Sequence, residues 1–193
     1  MSHPKNSGNA NAGKAVAKNW TPTRNKVQTL EELGRIADAE REKGNVVVLA
    51  HGVFDLLHMG HVRHLEGARR EGDFLIVTVT ADAYVNKGPG RPIFNDMMRA
   101  EMLAAIDCVG AVGVNYSESA ETALRAIRPD IYVKGSDYEN PEDDVTGKSS
   151  KEREVVESHG GRLVITHDIT FSSSNLINTY LNVYDRPLQD YLE

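Results

Sequence analysis

The chain has 193 residues, of which 40% are hydrophobic and 26% are charged, and its formal net charge is −6. This composition is typical of one soluble globular domain, and the acidic balance argues against general nucleic-acid binding. There is no apolar run of the roughly 18 residues that a membrane span needs, no apolar signal segment, and only one cysteine, so we expect a cytoplasmic protein without a disulfide.

The first 28 residues differ in composition from the rest of the chain. They contain lysine and arginine but no acidic residue, and they lack any apolar periodicity. Segments of this kind cannot bury enough apolar surface to fold. We therefore expect a disordered basic tail over residues 1–28, a folded domain over 29–185 and a short C-terminal tail over 186–193.

Within the folded domain, apolar strands alternate with amphipathic helices. The first helix is predicted to begin at Thr29, whose spacing from Glu32 is that of a capping box. The predicted helices cover residues 29–44, 61–70, 95–106, 119–127, 149–158 and 174–184. The predicted strands cover residues 45–50, 74–80, 109–114, 131–134 and 163–166. Apolar strands joined by helices indicate a doubly wound, five-stranded parallel sheet in a single α/β domain.

The most informative segment lies between the first of these strands and the second helix. Residues 51–61 read His-Gly-Val-Phe-Asp-Leu-Leu-His-Met-Gly-His. The end of a parallel strand and the start of a helix are where such folds bind phosphates. A histidine can supply a hydrogen bond or a charge to a phosphoryl group, and Gly60 allows phosphate oxygens to approach the backbone. The segment therefore predicts a phosphate-handling site.

Three other kinds of site fit the sequence poorly, and a fourth, a zinc site, stays open in principle. A P-loop needs glycine where the chain has Glu142, and a dinucleotide fingerprint needs glycine where it has Ile93. The Gly-x-Ser-x-Gly pattern of serine hydrolases does not occur. Zinc binding by His58 and His61 requires a third ligand; His64, one helical turn further on, leaves a three-histidine face open in principle.

The motif resembles the His-x-Gly-His signature of cytidylyltransferase-like nucleotidyltransferases. Three later segments fit this family in the right order, and the resemblance covers residues 46–178. They are Lys87 to Arg91 with Arg99, Lys134 to Tyr138, and Phe171 to Ile177. Within the family the chain is most similar to the adenylyltransferase domain of ADP-heptose synthases and less similar to glycerol-3-phosphate cytidylyltransferases. It departs from the former at His51 and Ser136, where asparagine and glycine are usual.

This resemblance implies a Rossmann-like nucleotidyltransferase fold and a set of site residues. It implies catalytic roles for His58, His61, Lys87 and Arg99. It implies nucleotide binding by Gly52, Val53, Phe54, Gly60, Lys134, Gly135, Asp137, Ser172, Ser173 and Ser174. Asp55 and Arg91 are assigned to the acceptor, with Asp55 bracing the loop rather than binding a metal. No protein-bound metal is predicted, because Mg²⁺ should arrive with the triphosphate.

The resemblance also implies a reaction. The enzyme would transfer a nucleoside monophosphate from ATP or CTP to a sugar 1-phosphate, such as heptose 1-phosphate, and release pyrophosphate. One alternative is a CTP-dependent enzyme that acts on glycerol 3-phosphate, another polyol phosphate or a phosphonate. Another is a non-catalytic nucleotide sensor, against which the two histidines, Lys87 and Arg99 argue. We further expect a homodimer, and fusion to or cooperation with a sugar kinase, with no nucleic-acid or membrane partner.

Overall fold

The computed structural model of the chain describes residues 22–135 and 148–166. Its strands are β1 (Val27–Gln28), β2 (Val47–Gly52), β3 (Phe74–Thr80), β4 (Ala111–Asn115), β5 (Ile131–Gly135) and β6 (Arg162–Thr166). Its α-helices are α1 (Leu30–Glu42), α2 (Met59–Arg70), α3 (Asp96–Ala104), α4 (Glu121–Ile127) and α5 (Lys148–Ser158). Short 3-10 helices cover Thr23–Lys26 and Asp82–Tyr84.

The six strands form one parallel sheet in the order β1-β4-β3-β2-β5-β6. From β2 the chain winds outward through β3 and β4, and it then crosses back to β5 and β6 on the other side of β2. The winding direction therefore reverses between β2 and β5. Open α/β sheets bind ligands at such a switch point, outside the carboxyl ends of the strands.

Two apolar layers cover the faces of the sheet. On one face, Leu65 of α2 and Leu103 of α3 pack against Val48 and Ala50 of β2 and the strands beside it. On the other face, α1, α4 and α5 pack against alternate residues of the same strands, such as Leu49. Because successive strand side chains point to opposite faces, both layers need continuous apolar strands.

The doubly wound parallel fold is confirmed, but the prediction of five strands was wrong because the sheet has six. The strand that sequence reasoning missed is β1, which pairs Val27 with Val112 at the edge of the sheet. It has only two residues and lies in the segment that we expected to be a tail, where regular structure reaches back to Thr23. The predicted helix over 174–184 lies outside the described residues, and the C-terminal domain boundary stays a prediction.

Other elements match their predicted ranges closely. β3 has the predicted bounds, and α1 begins after Thr29, whose side chain accepts the backbone N–H of Glu32. Asn95 caps α3 through the backbone N–H of Met98, as its position predicts. Within the described part of the chain, no helix is long and apolar enough to cross a membrane.

Candidate active site

The predicted site lies at the carboxyl edge of the sheet, where β2 ends at Gly52 and α2 begins at Met59. The neighbours of β2 are β3 and β5, so the loop after β3 and the end of β5 meet the same edge. This arrangement brings the His-x-Gly-His segment, the loop around Lys87 and the Lys134-Gly135 pair to one side of the molecule. The topology thus brings together segments that are far apart in the chain.

His58 and His61 form a reciprocal cap at the start of α2. Nδ1 of His58 accepts the backbone N–H of Gly60 at 3.1 Å, and the backbone N–H of His58 donates to Nδ1 of His61 at 3.3 Å. The two rings stack with their centroids 3.9 Å apart and their planes 26° apart. A serine or threonine with a glutamate three residues later usually fills this role. Here two imidazoles satisfy the free N–H groups of the helix.

These hydrogen bonds determine the tautomer of both histidines. Burial lowers the pKa of His61 to about 3, with a further contribution from the charge on His58. Burial also lowers the pKa of His58. Both rings are therefore neutral near pH 7, and since each Nδ1 accepts a hydrogen bond, each proton is carried by Nε2. The pair offers two Nε2–H donors at a helix amino terminus.

Phe54 shapes the loop between β2 and this cap. Its backbone adopts a left-handed conformation with φ of 50°, which is uncommon for a residue with a side chain. The buried ring contacts the His61 ring edge-on, with 5.3 Å between centroids. A Cβ on Gly52 would lie only 3.1 Å from Cε2 of Phe54. Gly52 and Phe54 therefore fit each other closely and support the His61 ring from one side.

Asp55 and Arg91 form a buried ion pair across the site. Their side chains are 0% and 1% exposed, respectively. One carboxylate oxygen of Asp55 accepts a short hydrogen bond from Nε of Arg91, and the other accepts the backbone N–H of Ile93 at 2.6 Å. Asp55 thus links its own loop to the loop that contains Arg91. Nη2 of Arg91 is buried and has no hydrogen-bond partner among the described residues.

Arg99 is buried, and its guanidinium group forms hydrogen bonds to three segments: the loop after β2, the end of β3 with the 3-10 helix that follows it, and the residues before α3. Its Nη1 donates to the carbonyl of Val53 after β2. Its Nη2 donates to the carbonyl of Thr80 at 2.8 Å and to the Asp82 carboxylate at 2.6 Å. Its Nε donates to the carbonyl of Phe94 before α3, at 2.9 Å. All three nitrogens are engaged within the protein, so this geometry favours a positioning role, and direct contact with pyrophosphate stays a prediction.

Two further site residues, Lys87 and Gly135, are more open. Lys87 is exposed on the loop after β3, and its charge contributes to lowering the pKa of His61. The lysine therefore lies near the histidine pair. Gly135 ends β5, and no described atom lies within 4 Å of the place that its Cβ would take. A ligand could approach the backbone closely at Gly135.

A second polar cluster lies at the end of β5, and one of its members was missed by sequence reasoning. Nζ of Lys134 donates to the Glu152 carboxylate of α5 at 2.7 Å. The same carboxylate accepts the Tyr132 hydroxyl at 3.1 Å and the backbone N–H of Ala120 at 3.0 Å. The sequence does contain a signal for Glu152: it lies three residues before the buried Val155 of α5, so it occupies the apolar face of its helix.

His51 lies beside this cluster and is held by two threonines. Its Nδ1 is 2.9 Å from the Thr78 hydroxyl and its Nε2 is 3.3 Å from the Thr80 hydroxyl. Burial lowers the pKa of His51 to about 4; the Glu152 carboxylate raises it and the Lys134 ammonium lowers it. His51 is therefore neutral, and both of its nitrogens are bonded to β3 rather than presented to a ligand.

Four predicted nucleotide-binding residues lie outside the described residues. They are Asp137, Ser172, Ser173 and Ser174. In the part of the chain that the structure describes, no group of three or more histidine, cysteine, aspartate or glutamate side chains could hold a metal ion. Both oxygens of Asp55 already accept hydrogen bonds from the protein.

Comparison with known proteins gives matches over most of the chain. Residues 49–179 match the model of the cytidylyltransferase-like family. Among curated proteins, the bifunctional protein HldE of Syntrophotalea carbinolica is 39% identical over 164 residues, which cover 83% of this chain and 32% of that protein. HldE of Geobacter sulfurreducens is 40% identical over 162 residues, which cover 82% and 32%. The chain thus spans about a third of the length of these relatives.

Solved structures share the fold at lower sequence identity. A lipopolysaccharide core biosynthesis protein from Thermoplasma volcanium has a TM-score of 0.54 and 24% identity, covering 67% of this chain and all of that one. A pantoate-beta-alanine ligase from Francisella tularensis has a TM-score of 0.52 and 12% identity, covering 81% and 77%. These two similarities concern the fold alone.

Proposed function

Because the chain belongs to the cytidylyltransferase-like family of nucleotidyltransferases, we propose that it transfers the nucleoside monophosphate of ATP or CTP to a sugar 1-phosphate. Heptose 1-phosphate with ATP is the first pair to test, given the 39% identity to a bifunctional HldE protein. The observation that best supports the proposal is the pair of neutral histidines, His58 and His61, at the start of α2. Reciprocal hydrogen bonds hold both rings in place and leave the protons on Nε2.

The proposed reaction depends on hydrogen-bond donors to the phosphates rather than on a general base. An oxygen of the acceptor phosphate forms a bond to the α-phosphorus, and the bond from that phosphorus to the oxygen bridging to the β-phosphate breaks, so that pyrophosphate leaves. The attacking oxygen is already anionic, and catalysis reduces to positioning and to stabilising the developing charge. A preorganised donor contributes about 2.7–4 kcal/mol in such a site, against about 0.3–1 kcal/mol from an exposed helix terminus.

The other residues fall into three roles in this proposal. Lys87 supplies a positive charge to the phosphates, since it is exposed near His61. Arg91, whose Nε is held by Asp55, binds the acceptor phosphate through Nη2. Arg99 acts by positioning the loop after β2. Mg²⁺ enters as part of the nucleotide substrate, held mainly by phosphate oxygens.

Nucleotide binding is proposed for a separate group of residues. The open backbone at Gly135 supports this assignment, because no described atom occupies the space that its side chain would take, so that a phosphate or ribose can approach the main chain there. The group comprises Gly52, Val53, Phe54, Gly60, Lys134, Gly135, Asp137, Ser172, Ser173 and Ser174. The assignment of Asp137 and of the three serines rests on the resemblance of their segments to the family.

One assay tests the proposal and separates its alternatives. Each of the four common nucleoside triphosphates is paired with heptose 1-phosphate, glycerol 3-phosphate and a phosphonate, and pyrophosphate release is measured. Release only with CTP and a polyol phosphate or phosphonate would favour the alternative acceptor. Nucleotide binding without release for any pair would favour a sensor and overturn the enzymatic proposal.

The partner predictions extend beyond this domain. The curated relatives are named bifunctional and are about three times as long as the matched region, which supports cooperation with a second enzyme; a sugar kinase would supply the sugar phosphate. A homodimer remains our proposal for the assembly. Sedimentation equilibrium over a range of protein concentrations tests it, and a single monomeric species at all concentrations would contradict it.

A further inference from the structure

The ion pair between Lys134 and Glu152 is almost completely buried, with each side chain 6% exposed. Its carboxylate is fully engaged, because it also accepts the Tyr132 hydroxyl and the backbone N–H of Ala120. Replacement of a buried ion pair by apolar side chains is often neutral or stabilising. A contribution to stability is therefore a weak explanation for the presence of this ion pair. Its position in the sheet suggests a functional explanation instead.

The pair lies at the switch point of the sheet. Val133 pairs with Ala50 of β2, so the next residue, Lys134, lies beside His51 at the end of the same strand. The effect of both Lys134 and Glu152 on the pKa of His51 agrees with this proximity. The ammonium group is thus held at the crevice between β2 and β5, one residue before the open backbone at Gly135.

We propose that Glu152 is a positioning residue for nucleotide binding, which holds the Lys134 ammonium group in place at this crevice. The inference rests on the proposed function, because it assumes that Lys134 contacts the nucleotide. The Glu152 carboxylate is suited to this role because its hydrogen-bond donors belong to two different parts of the fold. Tyr132 and Lys134 belong to β5, and Ala120 precedes α4, so the carboxylate links α5 to both elements and has little freedom to move.

A double-mutant cycle distinguishes this role from a merely structural one. The variants are E152Q, K134Q and E152Q/K134Q. The measurement is the dissociation constant of the magnesium complexes of α,β-methylene-ATP and α,β-methylene-CTP by calorimetry, and the comparison uses the nucleotide that the wild type binds more tightly. Hydrogen bonds to charged groups lead us to expect that K134Q and E152Q each weaken binding about ten-fold or more. If Glu152 acts through Lys134, the double variant binds no more weakly than K134Q.

Two comparisons control for damage to the fold. Y132F removes another donor to the same carboxylate and should lower the melting temperature while leaving the dissociation constant within about two-fold. E154Q changes an exposed glutamate on the same helix and should alter neither quantity. If E152Q does not fold, E152D retains the charge with a shorter reach, and it should weaken binding in the same non-additive way with K134Q.

Wild-type affinity for E152Q, or losses that multiply in the double variant, would overturn the inference alone. A wild-type chain that binds no nucleotide would overturn the proposed function together with it.

Discussion

His58 and His61 each accept a backbone N–H at Nδ1, so the two residues that cap α2 are also the two proposed catalytic donors. The same pair of hydrogen bonds orients both rings and places both protons on Nε2. Helix capping and catalysis are therefore linked in this site, and a change in either histidine affects both. This link leads to the first prediction.

Replacement of His58 or His61 by alanine should lower the turnover number by about 100-fold or more, because one preorganised donor is lost. Loss of the cap should also destabilise the fold by about 1 kcal/mol. Pyrophosphate release and urea denaturation measure the two effects. H159A, just after the end of α5, is the matched control and should leave turnover unchanged. Turnover within a few-fold of the wild type in H58A or H61A would refute the proposed mechanism.

The free energy of unfolding should decrease as the pH falls from 7.5 to 5. The pKa values of His51 and His61 are lowered to about 4 and about 3 in the folded state. As the pH falls through about 6.5, these two histidines take up protons in the unfolded chain but not in the folded chain. Their contribution to the free energy of unfolding is therefore fully present above that pH and is lost progressively as the pH falls further. A fully shielded histidine would cost about 2 kcal/mol at pH 5.

Urea denaturation at several pH values measures this dependence. H51N should show a shallower decline, because asparagine can still bond to the hydroxyls of Thr78 and Thr80 but does not titrate. A free energy of unfolding that stays constant across this range would contradict the assignment of these histidines as buried and neutral.

Replacement of Arg99 by glutamine should destabilise the fold as well as reduce activity. The buried guanidinium group joins the carbonyl of Val53 after β2, the carbonyl of Thr80 at the end of β3 and the partly exposed Asp82 carboxylate. Each buried carbonyl that loses its donor costs about 1–3 kcal/mol. The melting temperature and the dissociation constant for nucleotide should both change. A fully stable but inactive R99Q would instead favour direct contact between Arg99 and pyrophosphate.

Replacement of Asp55 by asparagine should affect the acceptor more than the nucleotide. The change removes the charge that holds Arg91 in place, so the KM for the acceptor should rise while the dissociation constant for nucleotide stays within a few-fold. The exposed pair Arg63–Glu66 is the matched control, and R63Q should change stability by less than about 1 kcal/mol. An unchanged KM for the acceptor in D55N would count against an acceptor role for Arg91.

The regular parts of the fold could be predicted because they depend on local pattern. β3 is a continuous apolar run bounded by polar residues, and both of its predicted ends are correct. α2 begins two residues before the predicted start, since a histidine is an unusual cap. β1 could not be predicted, because a two-residue edge strand has no periodicity and exists only through its pairing with β4.

The site could be predicted in residue identity but not in geometry. The resemblance assigned a role to Arg99, but it could not indicate that the side chain is buried against three backbone carbonyls. The ion pair between Asp55 and Arg91 could not be predicted either, because contacts between residues distant in the chain depend on how the strands of the sheet are ordered. Glu152 was missed although its spacing from Val155 and Val156 places a charge on an apolar helix face.

The pairing of β2 with β5 has a consequence for how this site comes into existence. Val48 pairs with Ile131, which lies far along the chain, so the crevice between β2 and β5 is complete only when these two strands are paired. A nucleotide that binds there would recognise the folded domain. Its binding energy would therefore add to the stability of the whole domain at once, and protection from proteolysis by nucleotide would report correct folding of every strand from β2 to β5.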